Sequence, residues 1–300
     1  MEYAWFWIPA TIAAAAAQAG RNIIQSGLTR TLGTLGATQV RFLYGFPFAV
    51  LFLTAILMAT GHSTPALNPS FFAYTAAGAA TQIAATALML TAMRDRGFVV
   101  VTAWIKTEPI QVAVFGLIVL GDPFSWGTAG GIVLATLGVV MLSLKTAAVS
   151  DLSTGLRPVL LGLLAGACFA LSAIGFRGAI LTLEPGHFLV QASWTLTWSL
   201  GMQAGALLVW MLIWRRDVLA GCLSAWRISI GGGFLGAFAS QCWFIGFALT
   251  AAANVRTLGL IEVLFALLLS QRLFKQRITA REALGIILIL SGASAVIAFA

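Results

Sequence analysis

The sequence predicts an all-α, polytopic membrane protein whose ten transmembrane helices form two inverted five-helix repeats. Three observations carry this reading. Of the 300 residues, 60% are hydrophobic and only 9% charged, whereas a water-soluble domain carries about 25% charged residues. The apolar residues fall into runs that meet the ~20 residues a bilayer span needs, joined by breaks too short to fold alone. The two halves of the chain also echo each other in order.

Taken from the N-terminus, the apolar runs place helices at about 4–28, 36–59, 70–92, 97–120, 125–145, 157–181, 188–214, 228–250, 253–271 and 279–299. Met1-Glu2-Tyr3 lacks the basic stretch of a cleaved signal, so the first run is expected to be kept as a span. Between the runs stand Gly61 to Pro69, Arg94-Asp95-Arg96, Gly121-Asp122-Pro123, Ser150 to Pro158, Glu184-Pro185-Gly186, Arg215-Arg216-Asp217 and Arg272 to Arg281. These combine residues that stop helices with charges that prefer water. Trp5 and Trp7 open the first helix, Trp126 the fifth, and Trp210 and Trp214 close the seventh, where interfacial aromatic belts form.

The net charge of +8 follows the same layout. Loops after odd-numbered helices and their flanks hold Arg30, Arg94, Arg96, Lys145, Arg157, Arg215, Arg216, Arg227, Arg272, Lys275, Arg277 and Arg281. The termini and the other loops hold no Lys or Arg, and only Arg177 and Arg256, just inside helix ends, approach that side. By the positive-inside rule the basic side is cytoplasmic and both termini face the periplasm. Charge scattered this way fits topology and argues against a nucleic-acid partner. Cys168, Cys222 and Cys242 form no Cys-x-x-Cys and read as buried thiols, with neither disulfide nor metal. His62 and His187 read as solvated residues of outer loops.

The internal repeat is the most informative feature. Thr81-Gln82 followed by Leu90-Thr91-Ala92 is echoed by Ser240-Gln241 followed by Leu249-Thr250-Ala251. Glu108, Gly131 and Gly138 return with the same spacing as Glu262, Gly285 and Gly292, and Gln39 matches Gln191. The chain therefore divides into residues 1–150 and 151–300, with five spans in each. An odd number of spans makes the second copy enter the bilayer from the opposite side, an arrangement suited to opening alternately to either face.

Residues 87–144, with Leu90-Thr91-Ala92, Glu108-Pro109, Gly121-Asp122 and Gly130-Gly131 through Gly138, resemble the EamA-type repeat of the drug/metabolite transporter superfamily. Residues 249–298 resemble its second copy. The resemblance, nearest to the YddG-type aromatic amino-acid exporters, implies a ten-helix, two-repeat exporter of amino acids and other small metabolites. Two features depart from it. Asp122 stands where the family commonly has Glu, with no acidic match near 273–275, and the basic loops lie opposite the termini.

Ionisable groups deep in a bilayer cost at least ~2.5 kcal/mol on insertion scales, so each asks for a partner or a cavity. Glu108 and Glu262 lie halfway along helices four and nine. On a continuous helix Trp104, Glu108 and Gln111 share one face. That face can bind a substrate ammonium or exchange a proton; alternatively, Glu108 pairs with a basic residue of another helix. Pro109 is expected to bend the helix beside the carboxylate. Lys106 points elsewhere and either snorkels or pairs across helices, and Glu262, sharing a face with Asn254, Leu258 and Phe265, is either a gate or a structural ion pair. Gln18, Arg21, Asn22 and Gln25 make a polar stripe on helix one after the Ala-rich run 13–17. The stripe is either a cavity lining, with Arg21 a candidate for a substrate carboxylate, or a packing seam. Arg41 and Arg177 stand near interfaces, able to contact ligand or to snorkel. Gln82 and Gln241 read as polar lining or as interhelical hydrogen bonds, and Trp243 as an aromatic wall or core filler.

No phosphate-binding loop, metal cluster or nucleophile triad is present in the sequence, so no cofactor, no metal and no enzymatic activity are expected. The expected function is a secondary transporter of the inner (cytoplasmic) membrane that exports small organic metabolites, amino acids foremost (aromatic, neutral or a broad range), by alternating access. The alternative is a uniporter or channel-like facilitator for nucleosides, sugars or drugs. The expected partners are a small-molecule substrate and the lipid bilayer, with the chain a monomer or homodimer; helices five and ten read as scaffold or dimer face.

Overall fold

The computed structural model describes residues 3–92, 98–123, 125–144, 156–274 and 279–300, among which there is no strand. The α-helices in chain order are α1 (Trp7–Leu43), α2 (Gly45–Thr60), α3 (Pro69–Ala92), α4 (Phe98–Ile105), α5 (Glu108–Phe115), α6 (Trp126–Leu144), α7 (Leu156–Thr182), α8 (Phe188–Trp214), α9 (Arg216–Ser224), α10 (Trp226–Leu249), α11 (Ala252–Leu258), α12 (Glu262–Phe274) and α13 (Ala280–Phe299). A π-helical turn, Gly116–Leu120, extends α5, and a 3-10 turn, Gly259–Ile261, joins α11 to α12.

The helix ends follow from local chemistry. Asn68 caps α3 by accepting the Phe71 N–H at 2.8 Å, with Pro69 at the first helical position, where its missing N–H costs nothing. Thr279 and Glu282 close a capping box on α13. Gly61 and Gly121, with φ of 68° and 67°, end α2 and the π-turn in the left-handed conformation that glycine adopts without strain.

Among the described residues, seven segments are long and apolar enough to cross a membrane: Thr31–Thr60, Ala103–Leu120, Trp126–Ser143, Val159–Thr182, Phe188–Trp214, Trp226–Leu249 and Ala280–Phe299. Apolar side chains stand outward on these helices, with Ile118 73% and Trp126 83% exposed, as lipid-facing residues must be. The chain is a multi-pass membrane protein. The other predicted spans differ from a plain apolar helix in identifiable ways. Gln18, Arg21 and Asn22 dilute the first half of α1, Gln82 and small residues dilute α3, and the predicted ninth helix tightens to a 3-10 turn at Gly259–Ile261.

Other expectations need correction. The break between the first two helices falls in the predicted gap, at Gly33, whose φ of 70° and ψ of 178° only glycine takes readily, but helix fills the rest of the gap and runs to Leu43. The predicted fourth helix is split into α4 and α5 by a turn at Lys106-Thr107. Arg215-Arg216-Asp217 is no bare loop: Arg215 chelates Asp217 through Nε and Nη2 at 3.2 and 3.1 Å, and α9 begins there. Asp217 in the first turn favours the positive helix end. Trp7 is buried, so of the first helix's two tryptophans only Trp5 is exposed at the belt. Cys168 is half-buried, whereas Cys222 and Cys242 are buried as expected. Of the basic residues used for orientation, Arg94, Arg96, Lys145, Lys275 and Arg277, with the side chains of Arg30 and Arg272, lie outside the described residues.

Two compact units form, and neither follows the halves of the sequence: one holds Met1–Ile83 and Gly175–Leu249, the other Ala84–Ile174 and Thr250–Ala300. In the first, α10 packs along α1, and Gly233 admits Tyr44, whose Cβ would lie 2.6 Å from any Cβ there. Phe71, Ala179 and Leu183 build a buried cluster with Trp194 and Trp198 against it. In the second, α6 and α13 run antiparallel in close contact. Gly131 faces Gly292, and Gly138 faces Gly285. A Cβ at Gly292 would lie 2.5 Å from the Ala135 nitrogen and the Gly131 oxygen.

Candidate functional site

The second unit concentrates charge at two helix interruptions. After Ile105 the chain leaves the helix; Thr107 closes the turn by donating its hydroxyl and its N–H to the Trp104 carbonyl at 2.7 and 3.1 Å. Glu108 then opens α5, with Pro109 in its first turn. Across the repeat, α11 gives way to the 3-10 turn, and Glu262 opens α12. Both repeat-related carboxylates thus stand directly after a tightened turn of the chain. Both are buried, at 9% and 7% exposure.

The charges are met in crossed fashion. Arg256 of α11 places Nε 2.6 Å and Nη2 2.5 Å from Glu108 Oε1, and Lys106, in the turn before α5, forms an ion pair with Glu262. Each interruption lends a cation to the other's carboxylate. Desolvating the two carboxylates is costly, and pairing with the partly buried cations offsets that cost. Such a constellation can stay closed as two neutral pairs or release a carboxylate for a proton or an ammonium group.

The interruption removes Trp104, Glu108 and Gln111 from a single helical face. Trp104 is 37% exposed while Glu108 is buried. Gln111 turns its amide toward Gly166 of α7, and its Oε1 is buried without a partner. The face assigned to Asn254, Leu258, Glu262 and Phe265 runs through the 3-10 turn, where the helix tightens; Asn254 donates to Thr250 Oγ1 at 3.0 Å.

In the first unit the amides tie helices together. Trp243 Nε1 donates to Gln18 Oε1 at 3.2 Å, Gln241 Nε2 to Ser193 Oγ at 2.9 Å, and Gln203 Nε2 to Gln82 Oε1 at 2.6 Å. Arg177 donates to the Phe247 carbonyl at 2.7 Å, satisfying the end of α10. Arg21 is buried and donates to Asn22 Oδ1 at 2.9 Å; Arg41 lies over the ring of Phe42. His62 and His187 are not merely solvated: their rings lie 5.3 Å apart, and His187 Nδ1 caps α8 by accepting the Leu189 N–H.

Arg256, Gln203 and Ser193 were missed as site residues by sequence reasoning. Gln203 carried a usable signal, an amide amid the apolar run of α8. Arg256 and Ser193 carried none, since their partners lie far away in sequence. Among the described residues no group of His, Cys, Asp and Glu could hold a metal ion.

An all-helical, multi-pass membrane protein with internally repeated, interrupted helices and paired intramembrane charges is a transporter-like architecture. The model of the EamA-like transporter family matches residues 5–144 and again 156–298, and the chain belongs to that family, within the drug/metabolite transporter superfamily. Its members are transporters rather than enzymes, and membership makes this chain a membrane transporter of small metabolites. A solved structure titled only as a crystal structure of a protein superposes with a TM-score of 0.70 at 13% identity, covering 96% of this chain and 95% of that one, a likeness of fold. No curated protein sequence matches.

Proposed function

We propose that the chain is a secondary transporter of the inner membrane that exports small organic metabolites, amino acids foremost, by alternating access. The carrying observation is the crossed pairing of Glu108 with Arg256 and of Lys106 with Glu262 at two repeat-related helix interruptions. Discontinuous helices in matching positions of two repeats are where transporters place substrate and coupling-ion sites. Exchanging or protonating a member of one pair changes the balance at both interruptions at once, which couples a local event to a change of state. The antiparallel run of the repeat mates α6 and α13 supports inverted repeats at 1–150 and 151–300. Glu108 and Glu262 serve as coupling or substrate groups in this reading, with Lys106 and Arg256 as their resting counter-ions and Pro109 at the hinge.

The test is a competition screen in proteoliposomes. Uptake of a labelled aromatic amino acid should be inhibited by other neutral amino acids far more than by nucleosides or sugars. Inhibition by nucleosides or sugars alone would replace the cargo assignment with that of a facilitator for those compounds.

A further inference from the structure

Within the first unit, α9 joins α8 to α10, and both of these are long and apolar enough to span, so α9 lies at a membrane surface. Its two faces differ. Leu219 and Cys222 are buried, and Cys222 and Val218 pack with Leu28, Ala37 and Val40 of α1. Beyond the break at Gly33, the Cys222 thiol donates to the Gly36 carbonyl at 3.5 Å, and the Tyr44 hydroxyl donates to the Cys222 carbonyl at 3.1 Å. Before the break, Leu32 Cδ2 would lie 3.4 Å from a Cβ on Gly221. The helix therefore braces α1 on both sides of Gly33. Its opposite face, with Arg216, Ala220, Leu223 and Ser224, is exposed.

We propose that α9 and its flanks dock the phosphate headgroups of anionic phospholipids, and that the bound lipid holds α9 in place as a brace across the Gly33 break. The surface is independent of what is transported. Both flanks repeat one pairing: Trp214 stands beside Arg215 and Arg216 before the helix, and Trp226 beside Arg227 after it, all of them exposed. Tryptophan anchors at the level of lipid headgroups, and basic residues beside it attract an anionic surface. Arg227 lies over the Trp226 ring, 5.5 Å from its centroid, and Arg216 Nε donates to the Leu212 carbonyl at 2.6 Å, closing α8. Asp217 is taken by Arg215, and among the described residues neither Arg216 nor Arg227 has a carboxylate partner. Three arginines against one aspartate leave the segment 215–227 cationic. Ala220 and Ser224 are small, so a headgroup can approach the helix between its two flanks, while Leu223 meets the acyl chains.

The test is thermal unfolding of the detergent-solubilised protein in micelles doped with dioleoylphosphatidylglycerol or, as the zwitterionic control, dioleoylphosphatidylcholine. The anionic lipid should raise the melting temperature well above the control, and the dose dependence yields an apparent affinity. Arg216→Gln and Arg227→Gln should each weaken that affinity about fivefold, the worth of one basic residue at an anionic surface, whereas Asp217→Asn should strengthen it by about as much. Arg281→Gln, at an exposed arginine of α13, should leave it unchanged. The preference should fade in high salt. Backbone amides from Leu32 to Gly36 should exchange more slowly with the anionic lipid, and Arg216→Gln/Arg227→Gln should lose this protection. Gel filtration checks folding, and if an arginine variant does not fold, Asp217→Asn against wild type decides. Equal effects of the two lipids, an equal loss in Arg281→Gln, or unchanged affinity in the folded variants would overturn the docking surface. A lipid preference with no change in exchange around Gly33 would overturn the brace. Equal effects of the lipids together with a dimer that Trp214→Ala/Trp226→Ala dissociates would assign the face to a second copy of the chain instead.

Discussion

Replacing Arg256 with Gln would leave Glu108 charged, 9% exposed and stripped of the guanidinium that now places two nitrogens within 2.6 Å of its Oε1. Breaking a buried pair from one side costs about 3–5 kcal/mol, because the survivor keeps its desolvation penalty and loses its compensation. Against a typical stability of ~5–15 kcal/mol this is a severe loss. Glu108→Gln should cost a similar amount by taking the carboxylate away from Arg256. The double variant Glu108→Gln/Arg256→Gln removes both charges together and should return to within about 1–2 kcal/mol of wild type, since neutralising a whole buried pair is often nearly neutral. Denaturant-induced unfolding in detergent, read as a double-mutant cycle, measures this directly. Single variants within ~0.5 kcal/mol of wild type, or a double variant showing the plain sum, would refute the reasoning that these charges are buried and mutually dependent. The folded double variant carries the functional test as well: flux should be lost, and flux equal to wild type would reduce the pair to a structural element.

Further outcomes follow from other parts of the structure. Gly292→Ala should destabilise by about 1–3 kcal/mol through overpacking against Ala135 and Gly131, while Gly130→Ala, whose Cβ meets nothing within 4 Å, should be neutral or slightly stabilising in the same unfolding assay. Burial, with the like charge of His62 second, holds His187 below the ordinary histidine value of 6.5. The unfolded chain therefore binds more protons in that interval, so stability should rise with pH through the histidine range and fall as pH drops below about 6.5. His187→Asn retains a cap acceptor and should flatten this dependence in melting curves, whereas His187→Ala should also cost ~1 kcal/mol. A reporter fused after Ala300 should be active only in its periplasmic form; a cytoplasmic signal would reverse the orientation drawn from the basic loops.

How much of this was legible in the sequence depends on whether the cause is local. Length, periodicity, Gly61, the Asn68-Pro69 start and the Thr279 to Glu282 capping box act within a few residues, and the predicted helix ends there agree with the structure. Pro109 marked the neighbourhood of the break before α5, yet the split at Lys106-Thr107 still undid the one-face argument for Trp104, Glu108 and Gln111. A face exists only while the helix is continuous. Glu108 and Glu262 stood out because a carboxylate in an apolar run is costly, but their partners did not. Arg256 looked like a residue near an interface, and nothing local tells which carboxylate 148 positions away its guanidinium meets. The break at Gly33 falls inside the predicted gap between the first two helices, but one residue of positive φ is enough to make it and helix resumes at once.

Counterflow in proteoliposomes tests the central claim most directly. Vesicles loaded with unlabelled amino acid and diluted into labelled amino acid should take up label transiently above equilibrium, with an initial rate that saturates. That overshoot requires a site that binds on one side and returns occupied from the other. Flux that rises linearly with concentration and shows no overshoot would contradict a carrier and establish a pore.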